Sequence, residues 1–160
     1  MRYIAALLAA GVLLGTSATS ALAATVNNGN GQSLTVATTT GLKPSSVVKV
    51  SGKGFSPRVG IYVALCVVVP KSQLPTPCGG GVNMSGKKPS SLWISSNPPP
   101  YGKNLAIPFG KGGTFSHKLT VSPKIGNIDC RVAKCAIYTR ADHLASTDRS
   151  FDVAVPVTFK

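Results

Sequence analysis

From residue 24 to the end of the chain, no run of a dozen residues repeats apolar side chains at the three-to-four spacing of an amphipathic helix. Short runs rich in β-branched residues alternate instead with clusters of Gly, Pro, Ser and Asn, the pattern of an all-β chain. Strands are expected over residues 33–38, 46–51, 59–69, 91–94, 113–121, 136–140 and 152–159, with turns at 41–44, 52–54, 75–81, 110–113 and 122–127. Val48 and Val50 alternate with polar neighbours, as do Val153, Val155, Val157 and Phe159, which suits a sheet with one buried face. Residues 61–69 are more continuously apolar and read as a central strand. Seven such strands predict a β-sandwich, and 17 Gly, 12 Pro and the lack of any Glu argue against a helical bundle.

The first 23 residues read as a secretory signal: a positive Met1-Arg2 start, an apolar run over 3–15 and an Ala21-Leu22-Ala23 cleavage site. The apolar run is shorter than the roughly 20 residues that span a bilayer. Residues 24–32 then read as a flexible polar leader, 33–160 as the folded domain, and about 79–108 as an extra Gly/Ser/Pro-rich segment. Four cysteines in a small secreted chain predict two disulfides out of three possible pairings. Close spacing makes two local bridges the economical choice, since Cys66 and Cys78 flank a turn-rich stretch and Cys130 and Cys135 flank four residues. No C-x-x-C pair is present and only two histidines, His117 and His143, so neither a metal site nor a thioredoxin-like redox site is expected.

Thr40-Gly41-Leu42, followed by Val47-Val48-Lys49-Val50-Ser51-Gly52-Lys53-Gly54-Phe55, resembles a signature of the neocarzinostatin family, the secreted, seven-stranded, immunoglobulin-like apoproteins of actinobacterial enediyne chromoproteins. Residues 62–66 resemble the family strand that carries its first cysteine. Gly113 with Leu119-Thr120-Val121, Asp129-Cys130 with Cys135, and residues 154–159 resemble its later strands and hairpin. The resemblance implies the bridges Cys66–Cys78 and Cys130–Cys135, a small disulfide-closed ribbon subdomain, and a cleft between that ribbon and the sandwich for an apolar chromophore. It also implies antibiotic binding, with antibacterial action and DNA association exerted through the cargo. This chain departs from the family's carriers in having Val68 two residues after Cys66, no phenylalanine pair between Val121 and Cys130, and Arg140 where a small cleft residue is expected. The candidate cleft residues are therefore Val68, Trp93, Tyr101, Tyr138 and Arg140. Trp93 has two readings, as part of a new apolar floor or as filler of the sandwich core, and the Pro98-Pro99-Pro100 run likewise reads either as part of an altered cleft rim or as a stiff connector.

Net charge is +13, from 17 Lys and Arg against four acids, all Asp. A surface of that sign attracts DNA and anionic envelope polymers without sequence preference, in a salt-dependent way. No recognition-helix pattern or clustered Arg arm points to sequence reading. Asp129, Asp142, Asp148 and Asp152 form no patterned pair, and Thr139-Arg140-Ala141-Asp142-His143 with Ser146-Thr147-Asp148-Arg149-Ser150 lacks a nucleophile elbow. That segment reads as a turn in which Asp142 and Asp148 pair with Arg140 and Arg149, and His117 reads as an exposed edge or face residue. The expectation is a secreted, monomeric, non-enzymatic protein without a metal or resident cofactor that carries or sequesters a small apolar or aromatic molecule. The alternative is a cationic, envelope-associated protein that binds anionic polymers without a chromophore.

Overall fold

A computed structural model of the chain describes residues 22–81 and 89–160. Most of the expected signal, and the Lys87-Lys88 pair, lie outside the described residues. Among the described residues ten strands form: β1 (Ala24–Asn27), β2 (Ser33–Val36), β3 (Ser46–Lys53), β4 (Ile61–Val67), β5 (Ser91–Ile94), β6 (Phe115–Val121), β7 (Lys124–Ile125), β8 (Ile128–Asp129), β9 (Cys135–Ala141) and β10 (Val153–Val157). Two 3-10 turns, Pro100–Gly102 and Arg149–Phe151, complete the elements. No helix among the described residues is long and apolar enough to cross a membrane.

The strands pair antiparallel into a sheet of order β1-β2-β3-β6, a second of order β10-β9-β4-β5, and a two-stranded β7-β8 ribbon. The alternation in sequence decides which side chains meet between the sheets. Leu34, Val36, Val48, Val50, Leu119 and Val121 face Ile61, Val63, Leu65, Ile94, Ile137, Val153 and Val155, all buried in one core. Each such side chain contributes roughly 1.5–3 kcal/mol by leaving water. Within β9 the inward Thr139 is fully buried: its hydroxyl donates to Phe151 O at 2.8 Å and accepts from Val153 N at 3.2 Å.

All seven expected strands are present, and both disulfides pair as Cys66–Cys78 and Cys130–Cys135. The first closes a ribbon: Val67 N donates to Pro77 O and Gly79 N to Leu65 O. Three expectations change. Residues 24–32 are not a flexible leader; they hold β1, which pairs with β2 from Ala24↔Val36 to Asn27↔Ser33. The Asn28-Gly29-Asn30-Gly31 stretch is the turn of that hairpin, with Gly29 at φ 87° and Gly31 at φ 93°, the backbone region that tight hairpin turns require. Residues 122–127 are not all turn, because Lys124 and Ile125 form β7 and Ile125 is buried in the core. His117 lies on an edge strand but is half-buried, in the parity of the core residues Phe115 and Leu119, and burial lowers its pKa.

Candidate functional site

The outward side chains of β5, β4, β9 and β10 share one sheet face, and strand register sets them in rows. Trp93 is opposite Tyr62, and Tyr62 opposite Arg140. One pair along, Ala64 is opposite Tyr138, and Tyr138 opposite Ala154. Alternation within β5 sends Leu92 and Ile94 into the core and Trp93 outward, so Trp93 is half-buried on the outer face rather than a core filler.

Four rings gather at the β5 end of this face. Trp93 lies 6.2 Å from Tyr62, 6.4 Å from Tyr101 and 5.3 Å from His143, centroid to centroid, within the range of favourable ring pairs. His143 shares hydrogen bonds through Nδ1 with Tyr62 Oη at 2.5 Å and through Nε2 with Tyr101 Oη at 2.6 Å. A neutral imidazole has one donor and one acceptor nitrogen, so one tyrosine donates to it and the other accepts. Both nitrogens are thus taken by phenols, not by a serine or a carboxylate.

Trp93 is anchored from below. Its Nε1 donates to Asp142 Oδ2 at 2.9 Å, and the buried Asp142 accepts from Leu144 N through Oδ1. Gly60 makes room for that carboxylate, since a Cβ there would meet Oδ2 at 2.1 Å. Gly102 lies flat on the indole, where a Cβ would approach the Trp93 ring to 2.4 Å. The 3-10 turn Pro100–Gly102 thus covers one side of Trp93 and presents Tyr101, which remains 65% exposed. Burial, then the Asp142 charge, raises the Tyr62 pKa.

Arg140 divides the face. Its guanidinium stands 5.6 Å from the Tyr62 ring centroid and donates to Pro75 O at 3.4 Å, tying the 67–79 loop down over the sheet. Burial, then the nearby Arg149 charge, lowers its pKa. Beyond it Tyr138, 6% exposed, packs with Ala64, Cys66 and Ala136 over the first disulfide, and its hydroxyl is hydrogen-bonded to the Val69 backbone. The floor above Cys66 is therefore filled by this chain's own side chains. A cavity of about 260 Å³ remains past Tyr138, between the 26–30 turn, the 69–75 loop and Arg149, Asp152 and Ala154.

Trp93 and Tyr101 are brought together, Arg140 joins them through Tyr62, and Tyr138 stands apart on the other side of Arg140. Val68 joins neither group; it is 40% exposed, with its N–H donating to Lys134 O at 2.9 Å. The expected pairing of Asp142 with Arg140 and Asp148 with Arg149 is replaced. Asp142 holds Trp93, Asp148 accepts from Ser150 N at the start of a 3-10 turn, and Arg149 pairs with Asp152 at 3.0 Å. Tyr62, His143 and Asp142 are the site residues that sequence reasoning left out. Their available signal was the outward parity of Tyr62 on β4.

The sequence model of the neocarzinostatin family matches residues 34–159. Among solved structures, one titled macromomycin is similar over 81% of this chain and 99% of that chain, with a TM-score of 0.51 and 19% identity. No curated protein matches the sequence significantly.

Proposed function

Since the chain belongs to the neocarzinostatin family, we propose that it is a secreted, non-enzymatic binding protein that carries or sequesters a small aromatic or apolar molecule on the outer face of the β10-β9-β4-β5 sheet. The observation that carries this reading is the ring cluster of Tyr62, Trp93, Tyr101 and His143, fixed by hydrogen bonds and open to solvent at Tyr101. Rings already held in place lose little conformational freedom on binding, so an added planar molecule gains stacking energy of about 0.5–1.5 kcal/mol per ring pair beyond its burial. With the floor above Cys66 filled by Tyr138 and alanines, the ligand position shifts toward β5, onto Trp93 and Tyr101. On this reading residues 1–23 direct secretion, and any antibacterial action or DNA association belongs to the cargo.

The test uses Trp93, the single tryptophan of the chain, as its reporter. The protein is titrated with an uncharged planar probe, 2-naphthamide, at low and high salt while indole fluorescence is followed. Saturable, salt-independent quenching that is lost in Tyr101→Ala supports the reading. Absence of saturation, or quenching unchanged in Tyr101→Ala, rules it out.

A further inference from the structure

The second outer face, on the β1-β2-β3-β6 sheet, has a different composition. Register places Thr25 opposite Thr35, Thr35 opposite Ser51, and Ser51 opposite Ser116, so one row of hydroxyls crosses all four strands. At about 4.8 Å per strand the row is roughly 14 Å long. Thr25 and Thr35 Oγ1 already share a hydrogen bond of 2.7 Å. One pair along, Lys49 stands directly opposite Lys118, both exposed, and Lys53 lies on the same side of β3. Like charges directly opposite each other on a sheet are destabilising, and no carboxylate relieves this pair. All four acids of the chain are elsewhere: Asp129 on the ribbon, Asp142, Asp148 and Asp152 around β9 and β10.

Unrelieved ammonium groups beside a hydroxyl row match the chemistry of phosphate oxyanions, which take both charge and hydrogen-bond donors. None of the side chains in these rows is aromatic, so bases gain no stacking partner. We infer that this face docks a flexible phosphodiester polymer of the polyol-phosphate type, laid across the strands along Lys49, Lys118 and the Thr25–Thr35–Ser51–Ser116 row. The inference goes beyond the small-molecule reading and does not depend on it, because the two sites occupy opposite faces of the sandwich.

The test measures binding of a short synthetic poly(glycerol phosphate) by calorimetry at several salt concentrations, with duplex DNA as comparison. For a single-stranded polyanion the slope of log K against log salt is about 0.7 per engaged charge, so Lys49→Ser/Lys118→Ser should flatten it by about 1.4. Lys71→Ser/Lys134→Ser removes equal charge off this face and should leave the slope unchanged. Thr35→Val/Ser51→Val should weaken binding at every salt concentration without altering the slope. Equal losses in the two lysine variants would mean diffuse charge attraction and overturn the inference, as would tighter binding of duplex DNA or no binding of the polymer. Naphthamide quenching of Trp93 should be intact in Lys49→Ser/Lys118→Ser, which also reports that the variant is folded.

Discussion

Replacing Asp152 with Asn should stabilise the protein near neutral pH and have almost no effect in acid. The Asp152 side chain is 14% exposed. Arg149 Nη1 donates to its Oδ2 at 3.0 Å, while Oδ1 has no hydrogen-bond partner among the described residues. Burial outweighs the Arg149 and Arg140 charges and pushes the carboxyl from an ordinary value of 3.8 up to about 6. Between those two values the folded protein holds the proton more tightly than the unfolded chain does. Stability is therefore greatest below pH 4 as far as this group is concerned, and is lost as pH rises through 6. At about 1.4 kcal/mol per unit the shift sets a ceiling of roughly 3 kcal/mol, which solvent screening at the partly open site reduces to about 1–2 kcal/mol. Asparagine imitates the protonated form at every pH. Thermal unfolding followed by circular dichroism from pH 3.5 to 8 should give coincident midpoints in acid. By pH 7.5 the variant should be ahead by roughly 3–6 °C. Asp129 and Asp148, whose pKa values are lowered by hydrogen bonds to Arg131 and Ser150, lose stability in the opposite direction, but equally in both proteins. A variant less stable than wild type at pH 7.5 would show that the Arg149 ion pair, not desolvation, governs this carboxylate.

Thr139→Val should cost about 2–4 kcal/mol in denaturant unfolding, because it leaves Phe151 O and Val153 N without their buried partner; a loss below 1 kcal/mol would contradict that account. Gly102→Ala should lift the Pro100–Gly102 turn from the indole, shift Trp93 emission to the red and weaken naphthamide binding, with the core and the unfolding midpoint little changed. Removing the first bridge with Cys66→Ala/Cys78→Ala should cost about 3 kcal/mol from the reopened loop, more than the loss from Cys130→Ala/Cys135→Ala, whose loop is shorter. Urea unfolding of the two double variants measures both, and the reverse order would refute the loop-length argument.

Local patterning carried the sandwich: Val48 and Val50, or Val153, Val155 and Val157, could alternate only as strands with one buried face. β1 was hidden because four residues followed by Asn-Gly-Asn-Gly resemble a leader, and only pairing with β2 makes them a strand. The two-residue strands β7 and β8 are too short to have a period. The ring cluster was half legible. Trp93 and Tyr101 stood out by type, but which side of β5 Trp93 takes depends on its register with Tyr62, and His143 joins from the loop that follows β9, 50 residues further along the chain than Trp93. Such contacts are set by long-range pairing, which composition and spacing do not encode. Val68 was named for its place two residues after Cys66; in the fold it follows the end of β4 at Val67, 40% exposed and bonded through its N–H to Lys134 O, a setting that only strand length and pairing decide.

The separation of acids from the Lys49–Lys118 face has a consequence that acts before any contact forms. Every Asp side chain lies on or around the other sheet and the ribbon, where Lys124 and Arg131 pair with Asp129 and Arg149 with Asp152, so charge there is partly cancelled within the protein. No such cancellation reaches Lys49 and Lys118, and their potential is weakened only by salt, over a Debye length of about 10 Å at 0.1 M. An anionic chain therefore feels this face before it touches it, and a rise in ionic strength shortens that reach.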